Sequence, residues 1–201
     1  MGYATMAVSI RVWHGLAYSL EGWKSDPFMA QQSGNADTLT DNKLDTFLEE
    51  LQLLQSKGSK KIAFIGSRHI SFAHQQLIET LAYALSLDDN HIITSGAPGT
   101  NFAVIKGVQR ANPDNLTVIL PQTIEQQPDE SREQLSTLKT VIEYPERNNM
   151  TLAQASELCY SEIIGKCQQL VIFLYHTSMT LKQTIQFAHE QHKIVTAFYL
   201  D

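Results

Sequence analysis

Two short apolar runs, each ending in a loop of glycine and hydroxyl residues that opens a helix, constrain this chain more than any other feature. The first reads Lys61-Ile62-Ala63-Phe64-Ile65-Gly66-Ser67-Arg68. The second reads His91-Ile92-Ile93-Thr94-Ser95-Gly96-Ala97-Pro98-Gly99-Thr100-Asn101. Runs of this kind, without polar alternation, suit strands buried on both faces of a parallel sheet. A strand that stops at Gly-Ser and feeds a helix gathers unpaired backbone N–H groups at one point, with the positive end of the helix dipole behind them. Such a point accepts phosphate readily. Two of these units in tandem predict a Rossmann-like sheet that holds a phosphate or nucleotide at the carboxyl ends of its strands.

The remaining pattern agrees with that expectation. Strands are expected at Ile62 to Ile65, His91 to Thr94, Leu116 to Leu120, Val141 to Tyr144, Leu170 to Leu174 and Ile194 to Tyr199. Helices are expected at Phe72 to Leu87, Thr100 to Arg110, Pro128 to Leu138, Thr151 to Cys167 and Ser178 to Gln191. In the first of these, Phe72, Leu77, Ile78, Leu81 and Leu85 are taken to face inward. Asn112-Pro113-Asp114 stops the second, and the spacing of Thr151 to Gln154 suits a capping box on the fourth. Strands alternating with helices give an α/β fold: a doubly wound, mostly parallel sheet with helices on both faces.

Upstream, Lys43 to Ser56 carries Leu44, Phe47, Leu48, Leu51 and Leu54 on one helical stripe, closed at Lys57-Gly58-Ser59. Residues 1 to about 40 read as an arm whose aromatics, Trp13 and Tyr18 among them, pack on the main domain or on a second subunit, or as a flexible tail; the arm is also where a protein partner would bind. The expected division is residues 1–59, an N-terminal arm with an amphipathic helix, and residues 60–201, the Rossmann-like domain.

Composition narrows the function. The chain has 201 residues, 43% hydrophobic and 18% charged, with a net charge of −6. That is a globular composition, and the acidic balance argues against avid general binding to DNA, which a basic stripe would support. No run approaches the roughly 20 apolar residues of a membrane span, and Arg11 and His14 interrupt the one apolar stretch near the start, so a cytoplasmic protein with no membrane partner is expected. Cys159 and Cys167 lie eight residues apart in one expected helix. That spacing is about 12 Å along the axis, too far for a disulfide, so two buried thiols are expected.

The candidate ligand residues cluster at the strand ends. Gly66, Ser67 and Arg68 offer backbone N–H groups and a guanidinium to an anion; the alternative is a structural turn with Arg68 in an ion pair. Ser95, Gly96, Gly99, Thr100 and Asn101 complete the same site, or serve only as turn and cap. Arg147 with Asn148, in the loop after the fourth strand, reaches a phosphate or a base edge, or lies on a surface loop. Arg132 is a further anion ligand or a solvated helix-start residue. Ser178 and Thr180 cap the last long helix or touch ligand. His189-Glu190-Gln191-His192 is one residue short of the zincin spacing, so no metal is expected. No catalytic constellation and no cofactor are expected either.

From Lys60 onward the chain resembles the DNA-processing protein A (SMF/DprA) family, within the wider superfamily that joins it to the Lonely Guy phosphoribohydrolases. The resemblance rests on Gly66-Ser67-Arg68, Ser95-Gly96-Ala97-Pro98-Gly99-Thr100-Asn101, Thr117-Val118-Ile119-Leu120-Pro121, Glu146-Arg147-Asn148-Asn149, and the closing Leu170 to Thr184 and Ile194 to Phe198, in the family's order. It implies a homodimeric mediator of DNA recombination that binds single-stranded DNA and loads a recombinase. The family's loop aspartate is Asn101 here, its second arginine is Asn149, and Ser178-Met179-Thr180 stands where Ser-Gly-Ser/Thr would be. The Lonely Guy glycine-rich motif and its catalytic glutamate are replaced by Tyr175-His176-Thr177-Ser178-Met179-Thr180-Leu181-Lys182. The expected function is therefore non-catalytic binding of a nucleotide or a single nucleic-acid strand. A nucleotide N-glycosidic hydrolase, with Glu143, Glu146 or Glu130 as its carboxylate, and a regulatory subunit without ligand are the alternatives.

Overall fold

A computed structural model describes residues 58–201. The N-terminal arm and the amphipathic helix expected at Lys43 to Ser56 lie outside the described residues. Six strands, β1 (Lys61–Gly66), β2 (His91–Ser95), β3 (Leu116–Ile119), β4 (Val141–Ile142), β5 (Gln169–Leu174) and β6 (Ile194–Tyr199), form one sheet in the order β4-β3-β2-β1-β5-β6. Every pairing among them is parallel. The helices are α1 (Phe72–Leu87), α2 (Thr100–Ala111), α3 (Asp129–Leu135), α4 (Leu152–Lys166) and α5 (Met179–Glu190).

Local chemistry starts the helices where the sequence indicates. The Ser71 side chain accepts the His74 N–H at 3.2 Å and caps α1. Thr151 and Gln154 form a reciprocal capping box on α4, which satisfies donors that the first helical turn leaves open. The central strands are mostly apolar because both sheet faces are covered. Ile62, Phe64, Ile92, Val118, Val171 and Phe173 pack with Ile78 and Ala82 of α1 and Val104 and Val108 of α2. Ala63, Ile65, Ile93, Ile119, Leu170 and Ile172 pack on the other side with Cys159, Ile163 and Ile164 of α4 and Leu181 and Ala188 of α5.

The chain thus changes faces between β4 and β5, and the strand order reverses where β5 lies beside β1. In open parallel sheets that reversal opens a crevice at the carboxyl ends of the two strands. The loops after β1 and β5 border it.

One detail differs from the sequence expectation. On α1, Ile78, Ala82 and Ser86 form the buried line, with Leu81 and Leu85 beside it, whereas Phe72 and Leu77 are 74% and 49% exposed. At 100° per residue, Leu77 lies about 100° and Phe72 about 120° around the helix from Ile78, so an apolar stripe drawn to include them is wider than the face the sheet covers.

Both thiols are buried and free. Burial pushes Cys159 up to about 12 and Cys167 up to about 11. The native protein should therefore leave both cysteines unreacted with an aromatic disulfide reagent over a period in which urea-unfolded protein reacts completely. Fast reaction of the folded protein would contradict this packing.

Candidate nucleic-acid interface

The loops after β1 and β2 are joined to each other. The carbonyl oxygen of Ser67 accepts two hydrogen bonds from Thr100, from its backbone N–H at 3.1 Å and from its hydroxyl at 3.0 Å. Ser67 in turn donates its N–H to the Phe173 carbonyl of β5 at 2.9 Å. The ends of three strands are held together by one residue. Gly99, the N-cap of α2, has φ 78°, a left-handed conformation that glycine adopts without penalty. A Cβ there would lie 2.1 Å from the Arg68 carbonyl oxygen, and one on Gly66 would lie 2.5 Å from the Thr100 hydroxyl. Glycine at both positions lets the two loops approach this closely.

This joining determines which candidate residues keep free polar groups. The Thr100 hydroxyl is spent on Ser67. Ser95 is buried, and its hydroxyl bonds the Cys159 sulfur. Asn101 is fully buried beneath the loop. Its amide lies 3.2 Å from the Thr94 hydroxyl, which donates to the Phe64 carbonyl at 2.9 Å. Gly96 is buried against Leu120 and Leu135. What the two loops present outward is the exposed Arg68; in the first turn of α2 the Thr100 and Ala103 N–H groups are already bonded, and Thr100 and Asn101 are buried. The described residues contain four arginines: Arg110 pairs with Glu79, Arg132 with Asp129 and Arg147 with Glu162, while Arg68 has no carboxylate partner among the described residues. Arg68 lies beside α4, where its charge opposes the rise that burial imposes on the Tyr160 phenol.

The other predicted arginines are occupied. Arg147 is drawn back along α4. Its side chain is 12% exposed, its guanidinium lies 3.6 Å over the Tyr144 ring, and it reaches Glu162 at 3.5 Å. Its Nη1 is buried without a hydrogen-bond partner. Asn148 is engaged with Thr123, accepting that residue's N–H at 3.1 Å. The buried Gln122, which sequence reasoning missed, donates toward the carbonyls of Arg147, Asn148 and Met150 at 3.1, 3.4 and 3.2 Å. This stretch is thereby a clamp between the loops after β3 and β4. Arg132 sits on α3 in its ion pair with Asp129.

Ser178 occupies the N-cap position of α5, but its hydroxyl makes no capping bond; its carbonyl accepts the Lys182 N–H at 3.2 Å. Thr180 is exposed one residue into that helix. The carboxyl edge of β1, β2 and β5 therefore gathers Gly66, Ser67, Arg68, Gly99, Thr100 and Ser178, while Arg147 and Arg132 are directed elsewhere. Among the described residues no cluster suits a metal ion, and no helix is long and apolar enough to cross a membrane.

Glu162 anchors the clamp electrostatically. A hydrogen bond from Tyr144 holds its carboxyl below the usual range, against the opposing effect of burial, with Lys166 and Arg147 adding to the depression. Tyr144 is pushed up to about 12 by burial and by that same bond. A depressed carboxyl contributes stability above its unfolded value, near pH 4.5, that is lost as pH falls through the folded value. A raised phenol contributes stability below about pH 10 that is lost as pH rises toward 12. Glu162→Gln should cost about 1–2 kcal/mol at neutral pH and flatten the acid limb of Tm against pH. An unchanged acid limb would remove Glu162 from this role. Gly99→Ala should cost about 2 kcal/mol or more, from left-handed strain plus contact with the Arg68 carbonyl; unfolding in urea as stable as wild type would refute the joined loops.

Two solved structures of DNA-processing protein A share this fold. The Helicobacter pylori protein, described for its single-stranded DNA binding mode, superposes with a TM-score of 0.59 at 16% identity, covering 73% of this chain and 67% of its own. The Streptococcus pneumoniae protein gives a TM-score of 0.56 at 19% identity, covering 73% of this chain and 52% of its own. The chain thus spans about two thirds of the first and about half of the second. No protein-family model matches the chain, and no curated protein matches it by sequence.

Proposed function

We propose that this chain, built on the fold of DNA-processing protein A, binds single-stranded nucleic acid through its phosphates at the loops after β1 and β2. Arg68 supplies the charge. The observation that carries this reading is Arg68 itself, an exposed guanidinium with no carboxylate partner among the described residues, on a loop whose shape is locked by Thr100. A guanidinium in that setting forms charge-assisted bonds to phosphate without first breaking an ion pair. The single-stranded DNA binding described for the Helicobacter pylori protein supports a nucleic-acid strand as the ligand; a free nucleotide offers the same phosphate chemistry.

The binding is non-catalytic in this reading. Glu143, one of the three carboxylates a glycosidic hydrolase could use here, accepts the Ile124 N–H at 2.7 Å and so holds the loop after β3. Homodimeric assembly, a protein partner for the N-terminal arm, a cytoplasmic setting and a role in mediating recombination accompany the proposal, carried by the family resemblance.

The test is fluorescence anisotropy of a labelled single-stranded oligonucleotide at several salt concentrations, with AMP and ATP as competitors. Arg68→Ala should weaken binding about tenfold and lower the salt slope by about one. Arg132→Ala should leave both unchanged. Equal affinity for wild type and Arg68→Ala would refute the assignment.

A further inference from the structure

The crevice at the strand-order reversal has two walls, and the proposed function uses only the β1 side. The other wall is Tyr175-His176-Thr177-Ser178, the loop that follows β5. Gly66 pairs with Phe173 across β1 and β5, and Leu174 pairs with Tyr199 across β5 and β6. Parallel register therefore sets His176 between the Arg68 loop on one side and the residues after β6 on the other.

His176 is exposed yet held in place. Its backbone N–H lies 3.1 Å from both carboxylate oxygens of Asp201, its Nδ1 lies 2.7 Å from Asp201 Oδ1, and its ring stacks on Tyr199 with centroids 4.1 Å apart. One ring nitrogen and one ring face are committed, and Nε2 has no partner among the described residues. The side chain remains 62% exposed. We propose that His176, oriented by Asp201 and Tyr199, is a proton-dependent phosphate ligand on the β5 wall of the crevice, so that a nucleic-acid strand crosses the sheet edge from Arg68 to His176. This rests on the nucleic-acid reading above and extends it to a second contact.

The protonation chemistry gives the contact its sign. With Nδ1–H donating to Asp201, the neutral ring carries a lone pair at Nε2, and the pair as a whole bears one negative charge that repels phosphate. Protonation places an N–H at Nε2 and makes the pair neutral, turning the same edge into a charge-assisted donor. Asp201 and Tyr199, at the end of β6, contact the ring; the loop after β1, which carries Arg68 and His69, follows the neighbouring strand by register, and Lys182 lies in the first turn of α5. Two donors on neighbouring strand ends, with strands spaced about 4.8 Å, suit successive phosphates of a strand better than the single phosphate of a mononucleotide.

The experiment measures the affinity of the full chain for a labelled oligothymidylate at constant ionic strength between about pH 8 and about pH 6. Wild-type binding should tighten at least about threefold as pH falls. His176→Gln should keep its affinity at the alkaline end and lose that gain, while His189→Gln, on the far end of α5, should retain it. Asp201→Asn should bind more tightly than wild type at pH 8, because the repelling charge is gone. A gain retained in His176→Gln, or wild-type binding indifferent to pH but still dependent on Arg68, would overturn the His176 contact and leave the proposed function standing. Absence of wild-type binding at every pH would overturn both.

Discussion

The double hydrogen bond from Thr100 to the Ser67 carbonyl is the contact on which the carboxyl edge depends. Each such bond contributes only about 1 kcal/mol net. Its leverage comes from position, because Ser67 also donates to Phe173. The ends of β1, β2 and β5 therefore move as one body. Gly66 and Gly99 are what the arrangement requires of the sequence: a Cβ at either would meet the facing loop at 2.5 Å or less. A loop held in this way presents its outward groups in a fixed geometry, and little ordering entropy is left to lose when a ligand arrives.

The same joining limits the chemistry. The hydroxyl and amide groups that make the glycine loops look like a rich polar site are largely turned inward. Ser95 faces Cys159, Asn101 faces Thr94, and Thr100 faces Ser67. What remains for an anion is one guanidinium, in a chain of net charge −6. At physiological salt, charges more than about 8 Å away are largely screened, so the local cation outweighs the overall balance. A site of this kind favours modest, salt-sensitive contact with phosphates over tight enclosure of a small molecule. Of two surface concavities, one between α5 and β6 reaches Tyr199 beside His176, and one lies away from the carboxyl edge by the amino ends of β3 and β4.

Much of this was legible in the sequence, for a physical reason. Parallel strands buried on both faces must be continuously apolar, and helices advertise their starts through Ser71 and Thr151, so strands, helices and their alternation could be read locally. The extent of the buried stripe on α1 could not, because Phe72 and Leu77 differ from Leu81 only in how far around the helix they sit from the sheet. Side-chain pairings were equally hidden. Arg147 meets Glu162 from a different element, Gln122 reaches carbonyls 25 to 28 residues away, and His176 meets Asp201 only through the register of β5 with β6. No local pattern encodes which of several polar residues at a strand end is consumed internally. That is decided by what the fold brings opposite.

The central claim is that the carboxyl edge at the junction of β1, β2 and β5 receives a nucleic-acid strand. Backbone amide shift mapping by NMR, with a short oligothymidylate titrated into the full chain, tests it most directly. The account predicts that the perturbed amides cluster at Arg68, His69, Ala97 and His176, and leave the hollow by the amino ends of β3 and β4 unmoved. Perturbations confined to that hollow, or spread without relation to the strand ends, would contradict it.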